Sequence, residues 1–323
     1  MSARARVTRT SSKRRLRRLA VAAATACAAV LAVQGHAGPA AAEDDYPVGD
    51  LSTAVSNFFL SPDTVPGANI WTCKPSAAHP YPVVIVHGTT SNFGSSGAML
   101  GPALANAGYC VYGFNYGANA FTLGHLYGLG DVAQSARTMS AFVERVLAST
   151  GASKVDVIGG SQGGMMPNYY IKRLGGAARV RTMIGLSPTN HGTTMQGLVN
   201  LGRTLHVLGL VNDFYELVDS PAYVQQEDGS DFQQALFADG DTVPGVRYLT
   251  LATTHDTTVT PMANSFLYGG DTANITVQDL CPDDPAGHTG MSFDGPVKQI
   301  ILNALGPNTP GFTPACTGYG PNL

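Results

Sequence analysis

The sequence predicts a doubly wound α/β layer structure, a mostly parallel sheet with helices on both faces, and three observations predict it. Short β-branched apolar runs end in glycine, stretches of helical period lie between them, and no repeat, charge block or long linker interrupts the chain. The first run is Val83-Val84-Ile85-Val86 and the clearest later one is Val155-Asp156-Val157-Ile158. Neither alternates apolar with polar, as a sheet with one wet face would, so both read as strands buried on both faces. Further strands are predicted at 110–116, 182–186, 248–252 and 275–277. From Val132 the apolar positions Ala136, Met139, Val143 and Val146 repeat at helical spacing, with Asp131 as the opening cap and Gly151 as the stop. Helices are also predicted at 161–174 and 291–305.

The first 42 residues stand apart. Lys13 and seven arginines precede an apolar run from Leu19 to Val33, and Ala40-Ala41-Ala42 supplies the small residues a signal peptidase needs. Residues 1–42 therefore read as a signal peptide that is removed, leaving 43–323 as a single catalytic domain without a membrane anchor. Eight of the 19 Lys and Arg residues leave with the leader while all 22 Asp and Glu stay, so the processed chain carries a net charge of −11. An acidic surface without a basic cluster excludes nucleic acid as a partner class and tolerates neutral substrates. Cys27 also leaves, and Cys73, Cys110, Cys281 and Cys316 form an even set in an oxidising compartment, which predicts two disulfides. Three pairings are possible; sequence proximity favours Cys73 with Cys110 and Cys281 with Cys316. Residues 195–245 break the strand–helix rhythm. Their apolar stretch around Leu198, Leu201, Leu205, Leu208 and Val211 reads equally as a cap over a site and as an ordinary packed helical pair.

The chemistry is concentrated in Gly159-Gly160-Ser161-Gln162-Gly163, directly after one predicted strand and directly before a predicted helix. That context makes the pentapeptide a nucleophile elbow, whose tight turn needs small residues two positions either side of Ser161. A serine hydroxyl attacks only when a base takes its proton and a third group orients that base. In this arrangement the acid and then the histidine follow the serine in sequence. Asp256 lies just beyond the predicted strand at 248–252, and His288 lies in a small-residue loop, read as mobile, before the last helix. Asp283 and Asp284 are too close to His288 in sequence, and Asp241 and Asp271 sit in turn-like contexts with no strand before them. Asp256 alternatively reads as a turn residue capping its own backbone. The oxyanion donors are expected at the Gln162 N–H and the Thr89 N–H, with the Thr89 hydroxyl as a third, because Thr89 follows the predicted strand at 83–86. His87 and His191 read as structural loop histidines, and no histidine pair has metal-site spacing. The reaction needs no cofactor and no metal.

Val86-His87-Gly88-Thr89, Gly159-Gly160-Ser161-Gln162-Gly163-Gly164-Met165, Ser187-Pro188-Thr189-Asn190-His191-Gly192-Thr193 and Gly287-His288 together resemble the class 2 bacterial lipases of the α/β-hydrolase superfamily, especially secreted actinobacterial ones. The chain is similar also to the yeast B-type lipase. The resemblance implies Ser161, Asp256 and His288 as the catalytic set, Thr89 and Gln162 as oxyanion residues, and the pairings Cys73–Cys110 and Cys281–Cys316. With the leader, the expectation is a secreted, extracellular, monomeric ester hydrolase acting on lipids, with a lipid–water interface as its place of contact. The same machinery would serve an acyltransferase or a short-chain or polyester esterase, and a non-catalytic secreted binding protein is the reading from a different class. Residues 195–245 match neither relative closely.

Overall fold

The computed structural model describes residues 45–120, 122–197, 199 and 208–323. The signal peptide read at 1–42 and part of the apolar stretch read as a cap, including Leu198, Leu201 and Leu205, lie outside the described residues. The elements run α1 (Leu51–Leu60), β1 (Val83–Val86), α2 (Phe93–Ser96), α3 (Leu100–Asn106), β2 (Val111–Phe114), α4 (Val132–Thr150), β3 (Val155–Gly160), α5 (Gln162–Arg173) and β4 (Val180–Leu186). They continue with α6 (Leu208–Leu217), α7 (Ala222–Gln225), α8 (Asp231–Phe237), β5 (Arg247–Ala252), β6 (Asp271–Thr276), α9 (Val277–Leu280) and α10 (Gly295–Leu305). The six strands form one sheet in the order β2-β1-β3-β4-β5-β6, and every pairing is parallel.

The uniform apolarity of the early strands has a geometric reason. Side chains alternate across a strand, so Val84 and Val86 point to one face with Val157 and Met183, packing on Met139 and Val143 of α4 and Met165 and Tyr170 of α5. Val83 and Ile85 point to the other face with Ile158 and Ile184, packing on Leu104 of α3 and Val297 and Ile301 of α10. Both faces are covered, so neither set can be polar; each fully buried Val, Ile or Leu contributes about 1.5–3 kcal/mol. α4 starts where Asp131 accepts a 2.7 Å hydrogen bond from the Gln134 N–H and stops at Gly151, whose φ of 78° lies in the left-handed region.

Three sequence expectations need correction. The last strand is Asp271–Thr276, not 275–277, because Val277 already opens α9, and Asp271 begins that strand where a turn was expected. The helix expected at 291–305 is split: Gly290–Phe293 forms a 3₁₀ turn and Asp294 caps the true helix through the Val297 N–H at 2.8 Å. The loop carrying His288 is pinned down. Gly287 N–H donates to Pro321 O at 3.0 Å, Thr253 Oγ1 to Ala286 O at 2.6 Å, and Thr289 N–H to Leu323 O at 2.6 Å. Disulfides join Cys73 to Cys110 and Cys281 to Cys316, the second tying the segment that covers this loop. Loops of this length give a cross-link about 3–4 kcal/mol of denatured-state restriction.

The strand order places the site. The chain leaves β1 toward β2 on one side and returns to β3 on the other, so strand order reverses between β1 and β3. Loops leaving the carboxyl ends of two such strands diverge and open a crevice between them. Thr89 follows β1 and Ser161 follows β3.

Candidate active site

Ser161 occupies the turn between β3 and α5 with φ 55° and ψ −125°, a conformation that costs a residue with a side chain about 1–3 kcal/mol. The surrounding backbone enforces it. A Cβ on Gly159 would stand 1.9 Å from Gly163 O, and one on Gly163 would stand 2.3 Å from both Val86 O and His87 O. The glycines two positions either side of Ser161 are thus required by the approach of β1 and by the elbow's own tightness. The Ser161 N–H donates to Leu186 O at 2.9 Å, tying the elbow to the end of β4. Ser161 caps α5, so the unpaired N–H groups of that helix and their partial positive charge face the cleft.

His288 and Asp256 meet across the carboxyl edge of the sheet. His288 Nδ1 lies 2.8 Å from Asp256 Oδ2, and the aspartate side chain is almost wholly buried. Its other oxygen, Oδ1, accepts the N–H groups of Thr258 at 2.8 Å and Val259 at 2.7 Å. Asp256 therefore both caps its own turn and orients a histidine, one oxygen for each, and the turn fixes where the second oxygen points. Burial alone pushes the Asp256 carboxyl up, but the His288 hydrogen bond and charge and the Val259 N–H outweigh it and hold it below the usual carboxylate range. Two competing acids are engaged elsewhere and a third faces solvent. Asp241 lies 3.3 Å from His191 Nε2, Asp284 accepts the Ala286 N–H at 2.9 Å, and Asp283 is exposed.

Ser161 and His288 line one cavity of about 120 Å³ together with Gly88, Thr89, Gly160 and Ser292. Among the described residues no hydrogen bond joins the Ser161 hydroxyl to the His288 ring. Contacts between a nucleophile and its base are often long until a substrate occupies the site. The loop after β1 passes directly beside the serine, where a Cβ on Gly88 would stand 3.2 Å from Ser161 Cβ. Thr89 Oγ1 accepts two side-chain amides, Gln162 Nε2 at 3.2 Å and Gln226 Nε2 at 2.9 Å. A hydroxyl has two lone pairs and one proton. With both lone pairs filled, the Thr89 proton is left to donate, and Thr89 lines the cleft.

His87 has a structural place. It is buried and stacked on Tyr116 at 4.2 Å, Nδ1 contacts Gly88 O at 2.8 Å, and burial pushes its pKa down to about 4, so the ring is neutral near pH 7. Gln226 is the residue the sequence reading missed. It is buried, lies just past α7 inside the 195–245 segment, and its Oε1 accepts the Thr189 hydroxyl at 3.0 Å. No local pattern marks it, because the partners that tie it to the site lie 37 and 137 residues away. Among the described residues no group of three or more His, Cys, Asp or Glu side chains stands where it could hold a metal ion.

A family model for class 2 lipases matches residues 80–300, which span β1 through most of α10 and hold every residue of this site. The chain belongs to the class 2 lipases. Among solved structures this class 2 lipase is similar to lipase B of Aspergillus fumigatus, at 23% identity and a TM-score of 0.58 over 77% of this chain and 61% of that one. It is similar also to the propeptide form of the Bacillus licheniformis lipase BlEst2, at 16% identity and a TM-score of 0.51 over 76% of this chain and 54% of that one. The chain thus spans less than two thirds of the length of either. At such identities the likeness carries the fold, which is the α/β-hydrolase fold.

Proposed function

We propose that this class 2 lipase is a secreted serine hydrolase that cleaves hydrophobic carboxylic esters through an acyl-enzyme on Ser161. The observation that carries the reading is the 2.8 Å contact of His288 Nδ1 with a buried, turn-anchored Asp256, beside a serine held in a strained elbow on the same cleft. In the first step His288 Nε2 takes the Ser161 proton as Oγ bonds to the ester carbonyl carbon. The carbonyl oxygen becomes an anion facing the N–H groups of Thr89 and Gln162 and the Thr89 hydroxyl proton. Collapse breaks the carbon–oxygen bond to the alcohol, which leaves with the proton from His288. Water, deprotonated by the same ring, then attacks the acyl-enzyme, and the carboxylic acid departs as Ser161 regains its proton. Asp256 stays ionised throughout and stabilises the imidazolium.

The leader at 1–42 and the two disulfides support export to an oxidising compartment. Support for a hydrophobic substrate comes from apolar residues left in solvent around the chain: Leu210, Phe214 and Leu217 of α6 and Val55, Phe59 and Leu60 of α1 are all more than 40% exposed. The test is turnover of nitrophenyl esters and emulsified triglycerides by the parent and by Ser161→Ala. The substitution is expected to lower kcat about 10⁶-fold without loss of folding. Equal turnover by the two proteins would discard Ser161 as nucleophile, and a preference for soluble short-chain esters over emulsions would discard the lipid assignment.

A further inference from the structure

A second cavity, of about 230 Å³, adjoins the catalytic cleft, and four hydroxyl-bearing residues, Ser91, Ser96, Thr289 and Ser292, line both. The outer wall of this second cavity is α1. Leu51, Ala54, Val55 and Phe58 follow one another at i, i+3, i+4 and i+7, so they form one face of that helix, and this face borders the cavity. Of the residues of α1 only Ala54 is buried, and Val55 is 55% exposed. An apolar helical face normally covers a core. This one covers an open groove. The wall is rigid: Asp50 caps α1 through the Thr53 N–H at 2.9 Å, and Phe58 O accepts Asn92 Nδ2 at 3.1 Å, with His125 Nδ1 also 3.1 Å away.

The side of the cleft on which the groove opens identifies its occupant. Thr289 follows His288 directly and Ser292 lies one turn further on, and the imidazole is the group that hands a proton to the departing alcohol, so space beyond them lies on the leaving-group side. Gly160, in the catalytic cleft, leaves the approach to this neck open. A Cβ there would meet nothing closer than Ser292 Oγ at 3.7 Å and Leu186 O at 3.8 Å. We propose that this groove along α1 binds the apolar chain of the ester's leaving alcohol, with the ring of hydroxyls at its neck facing the polar part of that alcohol. A diacylglycerol, the leaving group of a triglyceride, has this polar-then-apolar order. The proposal rests on the reading of Ser161 and His288 as nucleophile and base, and adds the alcohol subsite to it.

The experiment measures kcat/KM for butyrate esters of straight-chain alcohols from ethanol to decanol, and separately for ethyl esters of acids of increasing length. In the parent, each alcohol methylene that enters the groove is expected to raise kcat/KM about fourfold, equivalent to about 0.8 kcal/mol. Two substitutions are expected to flatten that rise: Ser96→Leu, which blocks the neck shared by the two cavities, and Val55→Asp, which puts a charge on the half-exposed wall of the groove. Melting temperatures confirm that each variant folds. Superimposable alcohol profiles for parent and both folded variants would overturn the proposal, as would variants that alter the acid series while leaving the alcohol series unchanged. Full turnover by Ser161→Ala would instead overturn the underlying mechanism. A dead Ser161→Ala with a flat alcohol profile in the parent would overturn the groove alone.

Discussion

Asp156 and Asp256 are both buried aspartates at the edges of the same sheet, and they do opposite things. Asp156 is the second residue of β3, at the amino edge, where Arg181 at the start of β4 grips both its oxygens, Nε to Oδ1 at 2.8 Å and Nη2 to Oδ2 at 2.5 Å. Asp256 lies past the carboxyl edge of β5, holding His288 with one oxygen and its own turn with the other. Burial pushes Asp156 up and Arg181 only partly pulls it back, so its carboxyl sits above the usual range, whereas the partners of Asp256 prevail over burial. An arginine paired on both oxygens leaves nothing for a substrate to use. A histidine held on one nitrogen has the other free to move a proton. The edge of the sheet on which a buried carboxylate sits, and the partner found there, separate a structural acid from a functional one.

The sharpest way to break this comparison is Asp256→Asn. The amide can still accept the Thr258 and Val259 N–H groups but no longer stabilises the imidazolium, so kcat is expected to fall about 10⁴-fold with little change in melting temperature. Asp156→Ala should do the reverse. Removing the buried carboxylate leaves the partly exposed Arg181 without its partner and is expected to cost about 1–3 kcal/mol in denaturant unfolding, while kcat per folded molecule stays at the parental value. If Asp156→Ala lowers kcat and spares stability, the division of labour between the two edges fails. Thr89→Val keeps the backbone donors and removes the hydroxyl, and is expected to lower kcat about 10²-fold with KM nearly unchanged. Gln226→Leu reaches the cleft through Thr89, so its expected cost to the reaction is about 1 kcal/mol, roughly fivefold in kcat. The smallest effect concerns a third buried acid, Asp294, whose pKa burial and the neighbouring Asp284 push from 3.8 to about 6. The folded chain then holds that proton more tightly than the unfolded one, so stability falls as pH rises from about 4 through about 6. Asp256 contributes in the other direction, stabilising above the unfolded carboxylate value and losing that stabilisation as pH falls below it. Asp294→Asn is expected to flatten the decline in melting temperature between pH 4 and 6.

The amino-acid sequence by itself determined the parts whose cause is local. Two-sided burial forces continuous apolar strands, so β1 and β3 are legible in Val83–Val86 and in Val155–Ile158. Backbone crowding at the elbow forces Gly159 and Gly163, so Ser161 announces itself, and the cap Asp131 with the stop Gly151 delimits α4. Tertiary structure alone decided the rest. The exposed strand β6 has no core pattern to mark its bounds, the His288 loop is pinned by hydrogen bonds to Pro321 and Leu323, and α1 presents its apolar face to a groove where a core would be expected. Gln226 reaches Thr89 across 137 residues. A turn or a buried strand is dictated by its immediate neighbours along the chain, whereas a hydrogen bond between distant side chains exists only once the sheet order has brought their loops to the same crevice.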